Sequence, residues 1–442
     1  MTSAVTAIDR AQPRSLPQPL TTICAAFAVI GAAAFAYGLI SDPQSAWLAY
    51  HTNFVYFATL SQAGLIWACI FVIVGANWPG PIRRIVESLA AWVPVSLVLA
   101  CIGYFGGEHI FEWYREGAVH GKETWLNPTR FYVTDIGILA VLTVLSLSFL
   151  KTSVRPTLGG VTQHMSGFAK GMAERWTAGW RGEEEEREAS LTRLRTISPI
   201  ICLIFAMGYS VIAFDQVMSM EQTWFSNLFG AFVSWGGMLS SVAATALIAV
   251  LMRNSPGLEG HITEERLHDL GKMLFAFSIF WMYLFFSQYL VIWYGNLPEE
   301  TLYLRDRLGP QFVIDKGFTE SAWALAWTDW NFKWSRLSEA YGWMSMVVWF
   351  CLWVIPFWVL LGQRPKKTPA ILGTVAAIVV IGFWLERNLL VWPSVVKDDN
   401  LAWAGPIPLL IGLGFFGAFG LVYLVYTRLF PSLAVPEPAS GS

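Results

Sequence analysis

The chain has 442 residues, of which 55% are hydrophobic, 15% aromatic and only 14% charged, and its net charge is -2. Soluble domains carry about 25% charged residues, so this composition excludes an ordinary soluble enzyme and describes a polytopic membrane protein. A near-neutral charge with no basic stripe interleaved with aromatics gives no reason to expect a nucleic-acid partner.

Residues 1–20 form a polar, proline-containing tail, and the apolar run Thr21–Ile40 follows. At ~1.5 Å per residue that run is long enough to cross ~30 Å of hydrocarbon. A cleaved signal peptide has a shorter apolar core, so the run reads as an uncleaved first helix. Further spans are read at Asn53–Val74, Ile85–Phe105, Phe131–Leu150, Thr196–Phe214, Trp224–Leu251, Leu270–Tyr294, Ala340–Leu361, Thr368–Leu390 and Pro406–Leu429. Breakers such as Asp42-Pro43, Asn127-Pro128 and Asn254-Ser255-Pro256-Gly257 separate them. The reading is an all-α protein of ten transmembrane helices. Two five-helix halves, 21–214 and 224–429, meet at a polar outer hairpin, 215–223, and a short tail, 430–442, ends the chain.

Roughly two thirds of the 29 Lys and Arg residues fall in the tails and loops on the side of the chain ends. The positive-inside rule then makes both termini cytoplasmic. On that side the segment 151–195 carries Phe168, Met172, Trp176 and Trp180 at four-residue spacing, with Lys170, Arg175 and Arg181 between them. This pattern predicts a helix lying in the membrane interface. The run Glu183–Glu186 after it reads as a solvated charged face. On the other side the segments 106–130 and 295–339 are long, and the second is rich in tryptophan (Trp323, Trp327, Trp330, Trp334). Such segments fold over the membrane face or dock a partner.

All five cysteines, Cys24, Cys69, Cys101, Cys202 and Cys351, lie inside apolar runs without a CxxC spacing and read as packing residues. The histidines at 51, 109, 120, 164, 261 and 268 lie no deeper than span edges. A membrane-embedded haem needs axial ligands near mid-span, so the chain is expected to carry no metal of its own.

Ionisable groups inside spans cost ~2.5–3.5 kcal/mol at a helix centre, which makes each a functional candidate. Glu87 and Lys272 fall near the cytoplasmic ends of the third and seventh spans. Glu108, His109, Asp135, Asp215, Glu386 and Arg387 fall near outer ends. Glu87 reads as a salt bridge to Arg83 or Arg84, or as the inner mouth of a proton path. Lys272 reads as a snorkelling anchor or as a counter-ion to Glu87. Asp215 would either cap the following turn or act as an outer carboxylate that releases a proton or hydrogen-bonds a ligand. Glu386 and Arg387 are adjacent on the helix, so each is expected to find its partner on another helix. His109 beside Glu108 reads as interfacial or as a relay. Hydroxyls and amides that could continue a path are Ser61, Gln62, Tyr209, Ser210, Ser241, Thr245, Ser278, Tyr283 and Gln288, although such residues also serve helix packing. With no acid at mid-span, two half-channels fit better than a continuous carboxylate wire.

Two stretches carry a resemblance. One is Asp215-x-x-Met218-Ser219-Met220-Glu221-x-x-Trp224-Phe225-Ser226. The other runs from Gly271-Lys272-Met273 through Gln288 to Gly295-Asn296-Leu297-Pro298-Glu299-Glu300. With Arg83-Arg84-x-x-Glu87 and Leu385-Glu386-Arg387, the chain resembles the ActF-type membrane subunit of alternative complex III, in the NrfD-like superfamily. It departs from the family pattern at Gln216, Gln222 and Asn227, where Trp, Pro and Thr are usual. The resemblance implies two four-helix bundles, 53–214 and 224–390, plus two flanking helices. It implies a respiratory quinol:cytochrome c oxidoreductase of the bacterial inner membrane. There a paralogous NrfD-like membrane subunit, an iron-sulfur subunit and multihaem and monohaem cytochrome c subunits carry the clusters and haems. This chain would supply proton conduction and scaffolding and leave room for contact with quinone. A proton-coupled secondary transporter and a purely structural anchor are the competing readings. The first would have two five-helix repeats of opposite orientation, yet no matched pair of Gly/Pro-broken helices stands at equivalent positions in the halves.

Overall fold

The computed structural model describes residues 18–114, 121–255, 258, 260–309, 338, 340–397 and 399–430. Among these, ten helices are long and apolar enough to cross a membrane. They are α1 (Gln18–Ser41), α2 (Pro43–Ile73), α3 (Ile82–Ile110), α4 (Pro128–Val161), α5 (Glu183–Gln216), α6 (Phe229–Met252), α7 (Glu264–Gly295), α8 (Gly342–Val359), α9 (Pro369–Val391) and α10 (Pro406–Leu429). No strand occurs among the described residues. The protein is an all-α polytopic membrane protein. The start of α1 and the end of α10 share one face, here the terminal face, and the turn between α5 and α6 lies on the opposite face.

Helices α2 to α5 pack around one another in a ring, and α6 to α9 form a second ring. The two bundles meet where α2 and α5 touch α6 and where α2 touches α9. Helices α1 and α10 lie outside both rings, pressed against each other and both against α2. Helix α2 is apolar on all sides, as a helix surrounded by protein should be, and nearly every residue from Ala46 to Val72 is buried.

Local chemistry sets the helix ends. Asp42 caps α2 by accepting from the Ser45 N–H, and Pro43 supplies a first turn whose N–H is not needed. Asn127 and Pro128 do the same for α4. Helix α7 ends at Asn296 with a left-handed φ of 45°, and Pro298 opens the next short helix, Pro298–Leu308. The motif Asn296-Leu297-Pro298-Glu299 is therefore a helix-to-helix corner, with Glu299 in the first turn of the second helix. In α8 a widened turn, Phe350–Val354, precedes Pro356, whose missing N–H and ring would clash with a regular turn.

The antiparallel pair α1 and α10 is joined through glycine. A β-carbon on Gly31 would lie 2.3 Å from the Gly414 Cα, and one on Gly417 would lie 2.5 Å from the Cys24 carbonyl oxygen. Without a hydrophobic force between helices in lipid, backbone approach of this kind supplies the attraction.

Several boundaries differ from expectation. Helix α2 begins at Pro43, not Asn53, so His51 is buried within it, level with the end of α5 through its contact with the Gln216 carbonyl. Helix α5 begins at Glu183, well before the apolar run at Thr196. Helix α6 begins at Phe229, leaving Trp224 in the hairpin. The helix expected from the four-residue spacing is Gly167–Trp176, so Phe168, Met172 and Trp176 lie on it, whereas Trp180 follows the turn after it and donates to the Pro156 carbonyl. Glu186 is not solvated: it is 4% exposed, in an ion pair with Arg155. Trp323, Trp327, Trp330 and Trp334 fall outside the described residues, as do Arg115 and His120.

Candidate functional site

The first bundle holds a buried acid at each end. Near the terminal face Glu87 of α3 is fully buried. Arg83 and Arg84, a helical turn earlier, reach it at 3.0 and 2.6 Å, and the Ser153 hydroxyl of α4 donates to it at 2.6 Å. Arg84 also donates to the Ser153 carbonyl, which ties α3 to α4. Both arginines serve as counter-ions. Lys272 does not: it pairs with Asp269 at 2.7 Å on its own helix, with a side chain 55% exposed.

Near the opposite face Asp135 of α4 and Asp215 of α5 are 1% and 0% exposed. Arg130, one turn before Asp135, reaches Asp215 at 2.8 Å, and the Trp125 indole donates to it at 3.0 Å. Gln216 donates to Asp135 at 2.6 Å, and the Gln216 carbonyl lies 2.7 Å from His51 Nε2, which must donate there. Asp215 thus does not cap the turn after α5. Asp135 Oδ1 is left without a hydrogen-bond partner, and two buried acids served by one guanidinium form a group suited to holding and releasing a proton. Glu108 and His109, 3.7 Å apart, stay outside this cluster, with side chains 74% and 36% exposed.

Helix α4 joins the two acid groups. Its inward face carries Asp135, Thr143, Ser146 and Ser153, and the Gln62 amide of α2 donates to Ser146 at 3.3 Å. By helical rise Ser146 lies ~10 Å from Ser153 and ~16 Å from Asp135. The longer interval is apolar except for Thr143, whose hydroxyl is turned back onto the Leu139 carbonyl. A void of about 10 Å³ between Phe54, Leu139, Tyr209 and Val217 lies there, room for a single water at most. The polar ladder therefore runs from Glu87 to mid-bundle, breaks, and resumes at Asp135. The other hydroxyls are turned to packing: Ser241, Thr245, Ser278, Ser210 and Tyr209 bond backbone carbonyls, while Tyr283 faces outward.

The second bundle holds a cavity of about 390 Å³, walled by Trp224, Trp281, Phe285, Tyr289 and Trp349 and reached by Glu386 and Arg307. Helices α7 and α8 make most of their mutual contact through Phe350–Val359, so they diverge toward the opposite face, where the cavity lies. Contrary to the expectation from their adjacency, Glu386 and Arg387 pair with each other at 2.8 Å, both nearly fully buried, and Arg387 also donates to the Val233 carbonyl. In an apolar pocket neither has water as a competing partner, so the two long side chains bend together. Glu386 Oε1 and Arg307 Nε are left without hydrogen-bond partners. The Tyr303 ring stacks on Trp224 at 3.6 Å with the Arg307 guanidinium also 3.6 Å from its centroid, so the two occupy opposite faces. Burial pushes the Tyr303 phenol up to about 12, which keeps it protonated.

The remaining motif residues hold the hairpin. Ser219 accepts from the Trp113 indole, the Ser226 N–H meets the Met218 sulfur, and the Ser226 hydroxyl donates to Gln288 of α7 at 3.1 Å. No known protein family matches the chain, and no curated protein matches it. Arg130, Trp125, His51, Gln216, Ser153 and Arg307 were not singled out from sequence. Arg130 lies 85 positions before Asp215, and the one available signal was its place a turn before Asp135. Among the described residues no three His, Cys, Asp or Glu side chains gather as a metal site.

Proposed function

We propose that this chain is the membrane subunit of a quinol-oxidising respiratory complex, whose own contribution is proton movement through the first bundle. The carrying observation is the pair of buried acid groups at the two ends of that bundle, with the Ser146–Gln62 rung of α4 between them. The family resemblance supplies the setting. The electron carriers are an iron-sulfur subunit and c-type haem subunits, a paralogous NrfD-like subunit adjoins this chain, and the membrane is the bacterial inner membrane with both termini cytoplasmic. On that reading Glu87 takes up protons from the cytoplasm, and the Asp135–Asp215 group releases them on the outer side. The break near Leu139 makes two half-channels, so a bound water or a side-chain movement must complete the route. In the intact complex, Glu87→Gln, Asp135→Asn and Asp215→Asn should each lower the protons released per quinol oxidised while the electron-transfer rate persists. Full coupling in all three variants would refute the proposal.

A second reading adds a quinone contact in the second bundle. Its support is the flat aromatic cavity with an unsatisfied carboxylate oxygen and an unsatisfied guanidinium N–H, the pair that a ring bearing both hydroxyl and carbonyl oxygen would satisfy.

A further inference from the structure

On the terminal face, where α4 and α5 leave the apolar band, a pocket of about 730 Å³ opens between them. Lys151, Arg155, Arg181 and Arg193 line it against one carboxylate, Glu186. That carboxylate is already engaged: Arg155 holds it through bonds of 2.7 and 3.0 Å while also donating to the Trp176 and Ala178 carbonyls, which fixes the pocket wall. Arg181 pairs with Glu185 at 2.7 Å. Lys151 and Arg193 are exposed and form no ion pair among the described residues. The pocket therefore keeps a positive excess, and its two unpaired cations belong to different helices.

Position selects the ligand. Lys151 follows the long apolar run of α4, which ends at Leu150, and Arg193 precedes the apolar run of α5 by less than one turn. Both charges thus stand where hydrocarbon gives way to headgroups. Beyond the pocket the same helices expose Val144 and Leu147 on one side and Leu203 and Met207 on the other, a surface for acyl chains. Beside it the helix Gly167–Trp176 presents Phe168, 76% exposed, and Trp176 lines the pocket itself. Exposed aromatics at this level are interfacial anchors.

We propose that this pocket binds the phosphate headgroup of an anionic phospholipid, with its acyl chains laid along the exposed faces of α4 and α5. A zwitterionic lipid would bring its own cation into a site already in positive excess. A free phosphate would satisfy the cations but leave the apolar floor uncovered. Bound there, the lipid would tie α4, α5 and the interfacial helix into one unit.

The test is native mass spectrometry of the full-length protein in detergent, titrated separately with phosphatidylglycerol, phosphatidylcholine and inorganic phosphate. One tight phosphatidylglycerol adduct is expected, with none for phosphatidylcholine at the same concentration and no displacement by millimolar phosphate. The double variant K151Q/R193Q should weaken that adduct about thirtyfold, from two near-surface charges lost. A control, R253Q/R364Q, removes two cations elsewhere on the same face and should leave it unchanged. If the double variant does not fold, K151Q and R193Q alone, each about fivefold weaker, carry the same comparison. Unchanged binding in the variants, equal binding of phosphatidylcholine, displacement by phosphate, or an equal loss in the control would each overturn the proposal.

Discussion

Replacing Arg130 by glutamine tests whether the Asp135–Asp215 group is an electrostatic unit. Asp215 is wholly buried, and Arg130 is the cation that pairs with it, at 2.8 Å. Removing one partner of a buried ion pair costs about 3–5 kcal/mol, because the other charge is stranded. The Arg130 side chain is 22% exposed, so water already screens part of the interaction, and about 2–3 kcal/mol is the expected loss. Asp215→Asn should cost less, about 1 kcal/mol, because the freed arginine can reach water whereas the freed carboxylate cannot. The double variant R130Q/D215N should match Asp215→Asn alone, since no carboxylate remains to be stranded there. The coupling between the two changes is then about 2–3 kcal/mol. Unfolding equilibria in mixed detergent micelles, followed by circular dichroism, measure all three variants. If R130Q costs no more than D215N, or if the double variant is simply additive, the pair is not an electrostatic unit and the proton-holding role falls with it.

Ser146→Ala removes the mid-bundle rung to Gln62; it should cost about 1 kcal/mol of stability and lower proton release, read with a pH dye in proteoliposomes of the intact complex. Unchanged release would make Ser146 a packing residue. Glu386→Gln keeps the shape of the second cavity but strands the buried Arg387; a loss of about 3–5 kcal/mol is expected, with short-chain quinone quenching of tryptophan fluorescence weakened about tenfold. Equal quenching before and after the change would rule out a quinone contact at Glu386. Gly414→Val puts a β-carbon 2.5 Å from the Gly31 Cα; overpacking should cost about 1–3 kcal/mol and abolish disulfide cross-linking between cysteines placed in α1 and α10. Retained cross-linking at wild-type yield would show that the seam tolerates spreading.

The ten helices were legible because lipid demands long apolar runs, and each run marked one. Their ends were legible only where lipid sets them. At the start of α2 the expected span opened only at Asn53 and left His51 and Thr52 outside it, yet the Thr52 hydroxyl and the Asn53 amide donate to carbonyls of the preceding turn and all three residues are buried. Hydropathy misleads where protein, not lipid, surrounds a helix. The acids were visible as costly groups, but their partners were not. Glu87 lay a turn from its arginines and could be paired by spacing, whereas Asp215 meets Arg130 only because α4 and α5 pack together. For Glu386 the sequence argument from helix geometry was sound for solvated side chains, and it failed because burial leaves the neighbouring arginine as its one charged partner among the described residues.

The glycine seam between α1 and α10 also fixes an order of events. Gly31 and Gly414 touch although roughly 380 residues separate them, and at ribosomal rates of ~5–20 residues per second the interval between their syntheses is about 20–80 s. Throughout that time α1 stands in the bilayer with its small-residue face against lipid. Of the ten described helices, the first made therefore meets its main partner last, when α10 arrives and packs against α1 and α2.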